Sequence, residues 1–321
     1  MLIPIIALIL GLVVLIWSAD RFIDGASGVA SHLGMPPLLI GIVIVGFGTS
    51  APELVVSALA ALQHNPGLAL GNAFGSNIAN IALILATTTV IIPITVQSSI
   101  LRKELPLLTG ATLLSAILIW DLEISFVDGL IMLVALVGVM TWTTLESMKN
   151  EGDALAEEFT EELNEKKTSL GLSIFWLVFG LAALVGSSKS MVWGATEIAL
   201  SLGVSEFVIG LTIVAVGTSL PELASSITAA KKGEHDIVVG NIIGSNLFNT
   251  LAVVGLAAVI RPFNPEANIL SRDLPVTAGL TLALFFVCYR RGGAGKITRL
   301  EGSLLLLSYL GYYAWIFLSE R

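Results

Sequence analysis

One phrase occurs twice in this chain. Gly48-Thr49-Ser50-Ala51-Pro52-Glu53 returns as Gly217-Thr218-Ser219-Leu220-Pro221-Glu222. Each copy is followed at equal distance by a second block, Gly71-Asn72-Ala73-Phe74-Gly75-Ser76-Asn77 and Gly240-Asn241-Ile242-Ile243-Gly244-Ser245-Asn246. The offset of 169 (217 − 48) holds without a gap from Ser18/Ser187 through Gly25/Gly194 and Gly34/Gly203 to Pro106/Pro275. An acid, a proline and small hydroxyl residues inside an apolar stretch are an odd combination for a membrane helix. Their recurrence in register is poorly explained by chance. It points to a duplicated transporter whose halves share one ion site.

Composition supports a membrane setting: 55% hydrophobic residues, 12% charged and a mean hydropathy of +0.91 exclude an ordinary soluble domain. About 20 apolar residues suffice to cross a bilayer. The pattern predicts an all-α membrane protein with ten spans near 2–22, 36–63, 67–95, 105–120, 126–146, 170–192, 204–230, 236–261, 273–290 and 299–319. Residues 1–146 then form a first five-helix half, 147–169 an acidic cytoplasmic linker and 170–321 a second half. With an odd number of spans per repeat, the second copy enters the membrane upside down, so the two halves form an inverted repeat. Met1 to Ile16 has neither the basic start nor the cleavage site of a signal peptide, and it is read as part of the first span.

The basic residues give an independent orientation. With the N-terminus outside, cytoplasmic loops hold twelve of the 16 Lys and Arg, leaving Lys189, Arg261, Arg272 and Arg321 on the outer side. Both termini are therefore expected outside. The seven acids between Glu151 and Glu165 read as a solvated tether, because they lack the alternation and central glycine of a calcium-binding loop. No basic field suits nucleic acid. The single cysteine, Cys288, excludes an internal disulfide framework and reads as a packing residue.

The chemistry lies in the repeated blocks. Pro52 and Pro221 each remove a backbone donor, freeing carbonyls one turn earlier that lipid cannot satisfy. Thr49, Ser50, Thr218 and Ser219 add hydroxyls, and Glu53 and Glu222 add carboxylates. Such oxygens suit a hard cation. Ser76 and Asn80 share one helix face, as do Ser245 and Asn249. They are expected to ligate the ion or hold groups that do. Gly71, Gly75, Gly240 and Gly244 are spaced for close helix approach.

An ionisable group at mid-membrane costs about 2.5–3.5 kcal/mol even on lenient scales. The spans that carry the blocks contain no Lys or Arg short of Arg261 at the outer end of the eighth, so a bound cation or a proton must neutralise each glutamate. One divalent ion or two monovalent ones balance the pair, so calcium can compete with sodium or protons for one site. Exposed alternately to each side, that competition gives antiport. A passive channel usually builds its ring from several subunits, whereas one chain completes this pseudo-symmetry alone, and a functional monomer is expected. His32, His64 and His235 have no matching partners for an enzyme, and no phosphate-binding loop is present for a pump.

These residues resemble the α-repeats of the calcium/cation antiporter superfamily, the sodium/calcium exchangers, and most closely its short prokaryotic members. The likeness covers most of the chain: both GTS-x-PE blocks, both GN-x-x-GSN blocks and the ten-span plan. It implies a cluster of spans two, three, seven and eight around the ions. Glu53 and Glu222 would bind calcium, and Thr49, Ser50, Thr218 and Ser219 would give oxygens to sodium and calcium. Ser76 and Ser245 would serve sodium, and the carbonyls of Gly46 and Ala215 would complete outer sites. Spans one and six would form a mobile pair, consistent with Gly11, Gly25, Gly180, Gly186 and Gly194. The resemblance implies Na+ and Ca2+ as transported ions, no separate cofactor and a prokaryotic inner membrane. One departure is that Asn249 stands where an archaeal branch has aspartate, so the motif holds two acids only. Potassium-dependent and cation/proton branches share motifs this short.

Overall fold

The computed structural model describes residues 2–34, 48–96, 99–149, 168–288 and 295–319, excluding the side chains at 99–102, 144 and 146–149. Gly46 and most of the acidic linker lie outside the described residues. The helices are α1 (Leu2–His32), α2 (Ala51–Leu62), α3 (Pro66–Ile91), α4 (Ser99–Ile119) and α5 (Phe126–Lys149). They continue as α6 (Leu170–Leu202), α7 (Glu206–Lys232), α8 (His235–Ile260), α9 (Ile269–Cys288) and α10 (Arg299–Ser319). Among the described residues, seven helices are long and apolar enough to cross a membrane: α1, α3, α5 over Phe126–Thr143, and α6 to α9.

Burial sorts these helices into centre and periphery. The apolar windows of α3 and α8 are each 78% buried, against 28% for α1 and 22% for α6. Sequence explains this division. The outward faces of α1 and α6 carry Leu10, Val13, Trp17, Val178 and Val185, side chains that gain nothing from water. The glycine-rich turns of α3 let α7 lie directly against it, and a Cβ at Gly71 or Gly75 would run into the Phe207 or Leu211 carbonyl. Both α1 and α6 extend about ten residues beyond the expected ends near 22 and 192, because helical pairing continues past the apolar run.

Local structure repeats with the sequence. The helical stretch Ala51–Leu62 corresponds at the 169-residue offset to Leu220–Lys232, and Pro66–Ala79 to His235–Phe248. A π-helical turn follows in each copy, over Asn80–Leu85 and over Asn249–Val253. Two short extended clamps cross between the copies. Ile94–Val96 pairs antiparallel with Gly295–Ile297, and Ile124 exchanges backbone hydrogen bonds with Phe263 at 2.9 and 3.1 Å.

Candidate ion-binding centre

In each signature block one serine immediately precedes a fresh helical segment. Ser50 (φ −84°, ψ 9°) and Ser219 (φ −86°, ψ 8°) adopt nearly the same non-helical conformation. Pro52 and Pro221 follow in the first turn of the new helical segment, where a missing N–H costs least. Glu53 and Glu222 thus sit in a first helical turn, where the positive end of the peptide dipoles favours a carboxylate. Both are fully buried.

The two halves bind each other reciprocally. Ser219 Oγ donates to Glu53 Oε1 at 3.1 Å, and Ser50 Oγ donates to Glu222 Oε1 at 3.3 Å. Thr218 Oγ1 donates to Asn72 Oδ1 at 3.1 Å, and Thr49 Oγ1 to Asn241 Oδ1 at 3.0 Å. Each bond is the other's counterpart at the 169-residue offset, which is the pattern of a two-fold relation.

Asn72 and Asn241 are two candidate residues of the centre that sequence reasoning did not single out. Asn72 Nδ2 donates to Ser57 Oγ at 3.0 Å and to the Glu53 carbonyl at 3.4 Å. Asn241 does the same with Ser226 Oγ (3.3 Å) and the Glu222 carbonyl (3.4 Å). Each amide pins a bent helix in its own half while accepting a threonine from the other. Their signal was present as the second letter of both GN-x-x-GSN blocks. Only the three-dimensional partner reveals the role.

The remaining candidates gather around this centre with less symmetry. Ser245 Oγ donates to Glu222 Oε1 at 3.4 Å, whereas Ser76 Oγ reaches the Ala215 carbonyl at 3.5 Å. That carbonyl also accepts from Thr218 Oγ1 at 3.3 Å. Asn80 Nδ2 donates to Asn246 Oδ1 at 2.9 Å, and Asn77 Nδ2 to Thr250 Oγ1 at 2.8 Å. Asn80 and Asn249 each open a π-helical turn, a distortion that recurs at functional positions. Thr49, Ser50, Thr218, Ser219, Ser76, Ser245, Asn80 and Asn249 are all buried.

Several polar atoms here lack hydrogen-bond partners: Glu53 Oε2, Glu222 Oε2, Asn80 Oδ1, and both amide atoms of Asn249. Unpaired buried oxygens are costly, and no ion pair among the described residues compensates either carboxylate. The donor set is therefore two carboxylates surrounded by neutral hydroxyl, amide and carbonyl oxygens. Hard cations prefer such oxygens over nitrogen or sulfur.

Known proteins are similar to this chain in sequence and in fold. The family described as sodium/calcium exchanger protein matches residues 3–145 and 172–318. CaxA of Alkalimonas amylolytica is 43% identical over 323 residues, covering 99% of this chain and 100% of that protein. The inner membrane protein YrbG of Escherichia coli K12 is 37% identical over 321 residues, covering 98% of each. A solved structure of the sodium-calcium exchanger NCX_Mj, soaked with 2.5 mM Na+ and 0.1 mM Ca2+, matches with a TM-score of 0.67 and 32% identity over 97% of both chains. In sequence over its full length and in fold, this chain belongs to the sodium/calcium exchanger family of integral-membrane cation antiporters.

Proposed function

We propose that the protein exchanges Ca2+ for Na+ by alternating access, with Glu53 and Glu222 as the carboxylates that bind calcium. The observation that carries this reading is the pair of buried carboxylates, each with one oxygen held by the other half's serine and one without a partner. One Ca2+ or two Na+ would neutralise the pair. Thr49, Ser50, Thr218, Ser219, Ser76 and Ser245 would supply further oxygens, together with the carbonyls of Gly46 and Ala215. Asn80 and Asn249 would border the ions. No cofactor beyond the transported ions is needed.

Residues 1–146 and 170–321 would be two inverted five-span halves, joined by the linker at 147–169. The reciprocal bonds between Ser50 and Glu222 and between Ser219 and Glu53 support a two-fold relation. The positive-charge bias supports termini outside and the linker in the cytoplasm of a prokaryotic cell. A monomer would suffice, because one chain supplies both halves of the centre.

Proton coupling at the same centre is the second reading. It is favoured by the amides Asn80 and Asn249, which leave only two charges for counter-ions to balance. Glu53→Gln and Glu222→Gln test the assignment: each is expected to reduce calcium exchange to background while the protein still inserts. Exchange retained in both variants would overturn it.

A further inference from the structure

The repeat lets each contact of α1 and α6 be compared with its counterpart 169 residues away, and one comparison fails to match. Along one wall α6 covers α2, with Val56, Ala60 and Ala61 sharing a buried core with Val192, Ala195 and Ala199. Beyond them the Asn65 amide meets Thr196 Oγ1 at 2.8 Å. With Oδ1 turned to accept from Thr196, Nδ2 donates to the His64 carbonyl at 3.2 Å and to Glu206 Oε1 and Oε2 at 3.2 and 3.1 Å.

The counterparts of Asn65 and Thr196 are Glu234 and Ser27. That bond is not made. Ser27 Oγ is buried without a hydrogen-bond partner, while Glu234 lies 3.8 Å from the Lys232 ammonium. The walls also differ in chemistry. Val55, Val56 and Leu59 of α2 correspond to Ala224, Ser225 and Thr228 of α7, which are exposed or half-buried and which α1 touches only marginally.

We propose that Asn65–Thr196 and Ser27–Glu234 are two clasps of one latch, closed in turn as α1 and α6 shift across the centre. The inference rests on the alternating-access reading above. In the orientation proposed there, the outer clasp is closed here and the inner one open. An apolar α2 wall is stabilised by cover, whereas the small polar wall of α7 tolerates water. The state closed outside is therefore the resting preference. In the opposite state Ser27 donates to Glu234, and Asn65 parts from Thr196. These four are positioning residues that set which side is open without touching the ions.

The test uses the full chain in proteoliposomes, with Cys288→Ala as background, double variants Asn65→Cys/Thr196→Cys and Ser27→Cys/Glu234→Cys, and a short bifunctional thiosulfonate. Each pair is expected to cross-link, to stop exchange and to regain it on reduction, with the outer pair reacting faster without ions. In the quadruple variant, closing one pair should prevent the other. Both clasps closing in one molecule, or cross-linked protein exchanging at the uncrosslinked rate, would overturn the latch. An inner pair that never cross-links although both thiols are reachable by a maleimide would do the same.

Thr196→Val supplies a cysteine-free arm for that position. It should lower labelling of a Ser225→Cys probe from the inner side about two- to tenfold, the shift one hydrogen bond confers. Unchanged labelling counts against the clasp. If wild-type protein carries no gradient-driven calcium flux, the exchanger reading itself fails. If it exchanges but the clasps do not alternate, only the latch fails.

Discussion

Each glutamate of the centre is held by the serine that precedes the other glutamate by three residues. Under the proposed assignment, that cross-bonding would make ion binding a property of both halves together. Calcium should therefore raise the melting temperature of the wild-type protein, by the equivalent of about 2.7 kcal/mol at a hundred times the dissociation constant. Glu53→Gln and Glu222→Gln should abolish that shift without lowering ion-free stability, because each removes a buried charge. A calcium shift of wild-type size in either variant would contradict the assignment. The residue types at the centre were legible in the sequence, since an acid beside proline and hydroxyls has few uses in a membrane. The partners were not, because hydrogen bonds between residues 139 to 192 positions apart leave no local trace. Asn72 illustrates the gap. Asn72→Leu leaves Thr218 only the Ala215 carbonyl, takes the donor from Ser57 and frees the first turn at Glu53, so it should cost about 1–3 kcal/mol in a denaturant titration and weaken the calcium shift. An unchanged midpoint and shift would reduce Asn72 to a filler.

At the scale of elements, α1 and α6 are held together by contact between bare backbones. A Cβ at Gly25 would run into the Leu177 backbone, one at Gly180 would meet Phe22 N at 2.6 Å, and one at Gly194 would meet the Pro4 carbonyl at 2.6 Å. Nothing lies within 4 Å of the corresponding point at Gly186. Gly25→Ala and Gly180→Ala should thus destabilise by about 1–3 kcal/mol through overpacking, and Gly186→Ala should be nearly neutral. Thermal unfolding of the three variants checks the order, and equal effects would contradict it. Composition marked all these glycines alike, and only packing separates them. The start of α3 was readable where Pro66 punctuates the chain, whereas the end of α6 at Leu202 was expected near 192. The π-helical turns at Asn80 and Asn249 were not, because an extra residue in a helical turn has no compositional signature.

For the whole molecule, the duplicated blocks and the apolar composition made an all-helical membrane protein of the exchanger family legible, because an acid, proline and hydroxyls repeated within apolar runs have few other uses. Part of the asymmetry between the copies lies in the residues themselves, as in Val56 against Ser225, but which contacts are made required coordinates. Calcium and protons should compete for the two carboxylates, because a protonated carboxyl is a poor ligand. Acidification is therefore expected to weaken the calcium-induced thermal shift progressively, and a pH-independent shift would contradict carboxylate ligation. The central claim, exchange of calcium for sodium, is tested most directly by calcium-45 uptake into proteoliposomes of the purified protein. An outward sodium gradient should drive uptake, while potassium-loaded, proton-gradient and gradient-free vesicles should show only background. Uptake without sodium, driven by protons or by no gradient at all, would contradict it.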